Sequence, residues 1–272
     1  PSTSGTGKQI IAEALATVDH QSSSKALAEK NWRKHYPQYF KALVEHGIRS
    51  QHHPIQIAED GLRKAHQSFE FYRHGQKHVL KDAMQLPTEN LHTFKLQGTS
   101  QAEPEWYVPY HGQKLQGQAL LDQIAAWLAA GIIEPSHAAA LNAAVEHPEW
   151  FDLSDRNMVL FGAASEAGPL TWLAKWKANI IAVDLPNSRV WNKILTTVQQ
   201  GNATLYAPSS EPLPADSPLN VLQEKLGANL LTQTPEIAHW LAQKAETLDL
   251  AAIAYLDGEK HVRVAMAMDA IM

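Results

Sequence analysis

The chain contains no cysteine among its 272 residues, which excludes disulfides, thiolate metal sites and cysteine nucleophiles. It also lacks an excess of base. With 23 Lys and Arg against 28 Asp and Glu, the net charge is −5, and no global cationic field exists to hold nucleic acid. Long apolar runs are missing too: the longest, Ile124 to Ile133, is half of the roughly 20 residues that a membrane helix needs. No charged segment followed by an apolar one opens the chain, so no secretory leader is expected and the cytoplasm is the expected location. No internal repeat or low-complexity stretch stands out.

What is present fits a globular α/β protein. The hydrophobic fraction is 44%, and the length suffices for one large domain or two ordinary ones. Residues 1–152 read as mostly helical. Helical spacing covers Lys8 to Val18, Lys25 to His46 with an interruption at Pro37, and Ile55 to Val79, with a Ser-rich break at Ser22 to Ser24. Residues 85–118 have the composition of a connector, with a short strand at Thr93 to Leu96. Leu115 to Trp150 is helical again, stopped at Gly131 and at His147-Pro148.

Eight of the 14 histidines fall between Lys8 and Met84, so metal ligands are sought there first. On a helix, His74 and His78 would share a face with Glu70 and Asp82. Gly75 between them, and Arg73, Lys77 and Lys81 around them, favour a solvated face, and no metal is expected. Trp106, Tyr107, Tyr110 and Trp127 are read as domain packing or the wall of a substrate pocket.

The informative stretch is Asn157 to Pro186. Met158 to Phe161 is an apolar run that suits a buried parallel strand, and Gly162, Ser165 and Gly168 make a turn of low bulk. Pro169 suits the first turn of a helix, Ile180 to Val183 is a second strand, and Asp184 closes it. Further on, a helix is expected over Asn187 to Val198 and a third strand over Ala203 to Tyr206. A helix at Leu219 to Leu226, a fourth strand at Asn229 to Thr232 and a helix from Pro235 follow. A fifth strand over Leu250 to Tyr255 leads to a helix over Lys260 to Met272. Strands alternating with helices predict a doubly wound parallel sheet over residues 153–272, preceded by the helical region. Because the last helix is still running at residue 272, either a small sheet or a shortened C-terminus is expected.

In such sheets ligands sit at the carboxyl ends of the strands, and an acid about 20 residues past the first glycine takes the adenosine ribose. Gly162 to Asp184 is 22 positions. The turn Gly162-Ala163-Ala164-Ser165-Glu166-Ala167-Gly168 resembles the Gly-x-x-x-Gly-x-Gly turn of short-chain dehydrogenase-like NAD(P)-binding Rossmann domains. Glu166 stands where that pattern has its middle glycine, and no Tyr-x-x-x-Lys follows. The resemblance implies an NAD(P)-dependent oxidoreductase acting on a small carbonyl or alcohol. Gly162, Ala163, Ala164, Ser165, Glu166 and Gly168 would lie at the pyrophosphate and Asp184 at the ribose. Thr232 and Gln233 would approach the ribose or nicotinamide, and Tyr255, Lys260 and His261 would be the catalytic residues, with the tyrosine or the histidine as proton donor. Asp184 favours NAD, while Arg189 keeps NADP open. Leu160 to Ala164, with Leu173 and Asp184, also resembles the S-adenosylmethionine turn of class I methyltransferases. A Rossmann-like binding module without catalysis is the third alternative. The helical region would then supply a substrate pocket or a homo-oligomer surface.

Overall fold

The computed structural model describes residues 3–272. The N-terminal part contains α1 (Thr3–Ala16), α2 (His20–Ala28), α3 (Trp32–Gly47), α4 (His53–Ser68), β1 (Glu70–Arg73), β2 (Gln76–Val79) and α5 (Leu80–Ala83). Then come β3 (His92–Gln97), β4 (Val108–Tyr110), β5 (Gln113–Leu115), α6 (Gly117–Ala129) and α7 (Pro135–Glu146). The remainder is β6 (Asn157–Phe161), α8 (Leu170–Leu173), β7 (Asn179–Val183), α9 (Ser188–Gln199), β8 (Thr204–Ser209), α10 (Leu219–Lys225), α11 (Thr234–Ala242), β9 (Asp249–Ala252) and α12 (Glu259–Ile271).

The chain forms two compact units. Residues 1–88 join 256–272 in one, and residues 89–255 form the other. The boundary expected at 152/153 therefore falls inside the second unit. The physical reason is β3: it adds antiparallel to β8, from His92↔Ser209 to Gln97↔Thr204, and carries residues 89–152 into the sheet's unit. Among the described residues, no helix is long and apolar enough to cross a membrane.

In the first unit α1 packs on α2, α3 and α4, burying Ala12, Leu15, Ala26, Tyr39 and Ala42. Three expectations need correction. Ser22 to Ser24 lie within α2 rather than in a break, because Asp19 caps that helix by accepting the Ser22 N–H at 3.0 Å and the Ser23 hydroxyl is satisfied by the Ala12 carbonyl. α3 runs through Pro37. Pro37 and Arg33 are both exposed, so water can satisfy the Arg33 carbonyl that the missing N–H leaves free. The helix expected over Ile55 to Val79 stops at Ser68, and β1 and β2 form a hairpin. His74 (φ 51°) and Gly75 (φ 77°) supply the two positive φ values of a two-residue type I′ turn. His74 thus sits in a turn and His78 on a strand, which dissolves the supposed four-residue stripe. The second unit repeats the device: His111 and Gly112 turn β4 into β5, and the same His-Gly-Gln-Lys tetrapeptide follows the chain round both turns.

The second unit is a mixed α/β layer structure around a five-stranded, mostly parallel sheet of order β3-β8-β7-β6-β9. β6, β7, β8 and β9 are parallel, with Asn157↔Asn179 to Phe161↔Val183, Asn179↔Thr204 to Ile181↔Tyr206, and Met158↔Asp249 to Phe161↔Ala252 in register. Strands buried on both faces need apolar residues at every position. Accordingly Leu160, Ile180, Ala182 and Leu205 pack under Trp191, Ile194, Leu195 and Val198 of α9, while Val159, Phe161, Ile181 and Val183, which alternate to the other face, are buried as well. Asn187 caps α9 by accepting the Val190 N–H at 3.2 Å. The strand expected at Asn229 to Thr232 is a turn instead. The Asn229 side chain accepts the Leu231 N–H at 2.9 Å, and the Gln233 side chain accepts the Asn229 N–H at 2.9 Å. Local side-chain bonds of this kind compete with a sheet ladder for the backbone.

Candidate functional site

The chain leaves β6 through Gly162, whose N–H donates to the Val183 carbonyl at 2.8 Å. Two turns follow, closed by Ser165 N–H to Gly162 O at 2.9 Å and Gly168 N–H to Ser165 O at 3.1 Å. Gly162 has φ 84°, and a Cβ there would lie 2.6 Å from the Ala254 Cα. A Cβ on Gly168 would lie 2.6 Å from Ile253 Cδ1. Gly162 is therefore required by the close seating of the turn on the backbone after β9, which is tied to β6 by Ile253 N–H to Phe161 O at 3.1 Å, whereas at Gly168 the near atom is the movable tip of a side chain. Between them Glu166 is exposed. The helix that follows, α8, has four residues.

Asp184 stands at the end of β7, half-buried beside this turn. One carboxylate oxygen accepts the Ala164 N–H at 2.9 Å and the other accepts the Leu185 N–H at 2.8 Å. Burial pushes its pKa up from the ordinary carboxylate value, against the pull of the two amides and of the Lys193 charge. The carbonyl of Ala164 accepts from Lys193 Nζ at 2.8 Å, so this one turn residue is held from both sides. Each carboxylate oxygen keeps a second lone pair for a hydroxyl donor.

Beyond Asp184 the ends of β7 and β8 are bridged by the chain itself. Ala228 N–H donates to the Asp184 carbonyl at 2.9 Å, Gly227 N–H to the Pro208 carbonyl at 2.8 Å, and Ser209 pairs with Leu226. Trp191 Nε1–H donates to the Leu185 carbonyl at 3.0 Å beneath this strap. No motif or spacing in the sequence marks Lys193 or the strap. Lys193 lies nine positions past Asp184 on the first turns of α9, and only the packing of α9 on the sheet brings it to the glycine turn.

The structure gathers Gly162, Ala163, Ala164, Ser165, Glu166, Gly168 and Asp184 at one edge of one unit. Thr232 and Gln233 belong to the same unit, but Gln233 spends its side chain on the Asn229 amide. Tyr255 follows β9 and is 70% exposed, next to the Ala254 that meets Gly162. Lys260 and His261 belong to the other unit, on the first turn of α12, so the three expected catalytic residues are divided between the two units. Among the described residues no group of three or more His, Asp or Glu side chains is placed to hold a metal ion. The aromatic residues form a connected series within the second unit. Trp106 stacks on Phe151 at 5.3 Å, Phe151 meets Trp176 at 4.9 Å, Trp176 meets Trp172 at 5.3 Å, and Tyr107 meets Trp172 edge-on at 4.9 Å. Trp106 and Trp127 also pack on Leu120 and Ile124 of α6, and Tyr110 meets Trp127 at 5.1 Å. This series fastens the α6–α7 region to the rim of α8.

No family model, no curated protein and no solved structure matches this chain.

Proposed function

We propose that residues 89–255 form a Rossmann-like domain holding an adenosyl ligand at Asp184, that the ligand is S-adenosylmethionine, and that the protein is a class I type methyltransferase for a small acceptor. The observation that carries this reading is the division of labour in the glycine turn. In dinucleotide-binding turns the first and last glycines serve the tight turn and close packing, and the middle one lets the backbone approach the pyrophosphate. Here the two packing glycines are present, and the position that would face a pyrophosphate holds the Glu166 carboxylate. α8, with four residues, adds little dipole to attract a dianion. S-adenosylmethionine has no phosphate and carries a sulfonium cation, which a carboxylate favours. Asp184 would accept the ribose hydroxyls on its free lone pairs, and the amides of Ala164 and Leu185 hold its carboxylate in place. The bound ligand supplies an activated methyl group; this chain supplies the positioning.

One observation favours the alternative, an NAD(P)-dependent oxidoreductase of the short-chain dehydrogenase-like kind. Lys193, with Arg189 on the same helix, places cations near the adenosine end, which suits the 2′-phosphate of NADP. Tyr255 would then be the proton donor at the carboxyl end of β9.

Calorimetric and thermal-shift titration separates the two. We expect S-adenosylmethionine at about 100 times its Kd to raise Tm by about 5–10 °C. D184N keeps an acceptor for the turn, and should weaken binding about 10- to 100-fold by removing a charge-assisted bond to the ribose. Stabilisation by NADPH or NADH instead would transfer the assignment to the oxidoreductase. No response to any of the three ligands would end both readings, and unchanged affinity in D184N would remove Asp184 from the ribose.

A further inference from the structure

The first unit carries an apolar ridge that faces solvent. Tyr36, Phe40, Val44 and Ile48 follow one another at four-residue steps along α3 and its C-terminal cap, exposed at 43, 48, 64 and 80%. α3 buries Tyr39 and Ala42 on its other side, so the ridge is a second apolar face, about 18 Å long. One flank of the ridge opens into a groove of about 580 Å³ between α1 and α3, lined among others by Ile10, Ile11 and Trp32. By helical spacing the opposite flank carries Lys41 and Glu45, which pair at 3.4 Å with side chains 75% and 49% exposed.

We infer that this face is the contact between two copies of this chain, with their α3 helices antiparallel about a two-fold axis at the level of Ala42. In that register the ridge is complementary to itself: Tyr36 meets Ile48 of the second copy, and Phe40 meets its Val44. A two-fold axis across antiparallel helices brings like flanks together. The groove then faces the groove, and Lys41 of each copy lies beside Glu45 of the other, within about two residues' rise (about 3 Å) of the same level. The flanks also select the direction, because parallel helices about a two-fold axis would set the Lys41–Glu45 flank of each copy against the groove of the other and leave no charge pair across the contact. A two-fold pair closes on itself and covers both ridges, which an exposed face of four large apolar side chains requires.

Sedimentation equilibrium on the full chain tests this. The unsubstituted protein should dimerise, and F40E should leave it monomeric with its far-ultraviolet circular dichroism unchanged and with a Tm that no longer depends on protein concentration, since Phe40 is exposed. K41E and E45K should each raise the dimer Kd about tenfold, because two symmetric pairs turn from attraction to repulsion. An equimolar mixture of the two variants, one carrying a size tag, should recover the original affinity as a heterodimer. Recovery in trans is the decisive result, because an effect confined to the i,i+4 pair within one helix cannot be rescued by another chain. A protein that stays monomeric up to about 100 µM, a dimer indifferent to F40E, or a failure of the mixture to recover would each overturn the assignment.

Discussion

At the scale of single residues, two carboxylates show how the same group is tuned in opposite directions. Asp184 is pushed up by burial, so its ionised form costs the fold stability that grows as pH rises through its raised pKa. Asp19 is pulled down, from an ordinary 3.8 to about 2, by the Ser22 hydroxyl and amide and then by His46, whose Nε2 lies 3.0 Å away. A depressed folded-state value means that Asp19 stabilises the protein above about pH 4, and that this contribution disappears as pH falls towards about 2. D19N retains a helix cap but no titration. We therefore expect the Tm of the unsubstituted protein to exceed that of D19N at pH 6 and the two curves to converge near pH 2, as followed by circular dichroism. A gap that stays constant across this range would show that the cap geometry, rather than the charge, carries the effect.

At the scale of elements, what could be read from the sequence divides along a physical line. β6, β7 and α9 are legible because a strand buried on both faces must be apolar throughout, and because Asn187 announces the helix it caps. The β1–β2 hairpin is illegible to a helical-periodicity reading, since Phe69, Tyr72 and Val79 satisfy that period while the His74-Gly75 turn dictates otherwise. Residues 229–232 look like a strand in composition, yet Asn229 and Gln233 fold them into turns. At the site, the glycine turn and Asp184 could be found by spacing. Lys193 and the 226–228 strap could not, because long-range packing alone delivers them. The seating of the turn on Ile253 and Ala254 yields its own prediction. G162A combines a left-handed backbone with a Cβ 2.6 Å from the Ala254 Cα, so it should cost about 2–4 kcal/mol in urea unfolding. A loss below about 0.5 kcal/mol would mean that the segment after β9 yields freely.

At the scale of the whole molecule, the sheet and its helices are made from one continuous run, residues 89–255, with a core of their own around Leu160, Ile180, Trp191 and Leu205. Expressed alone, this run should unfold in a single cooperative transition seen at once by far-ultraviolet circular dichroism and by tryptophan fluorescence. Separate transitions by the two probes, or none, would show that it depends on the other unit. If it folds, the ligand titrations apply to it unchanged, because Asp184 and the glycine turn lie within it.

The first unit is different, since it takes its residues from two places. Its α12 buries Val264, Ala267 and Met268 and sets Asp269 Oδ2 2.5 Å from His66 Nε2. During synthesis α1 to α5 emerge before the whole of residues 89–255, and α12 comes after them. At usual translation rates that interval is on the order of ten seconds, far longer than the collapse of such helices takes. The unit that is begun first is thus completed last. For that time the nascent chain presents helices without their final neighbour.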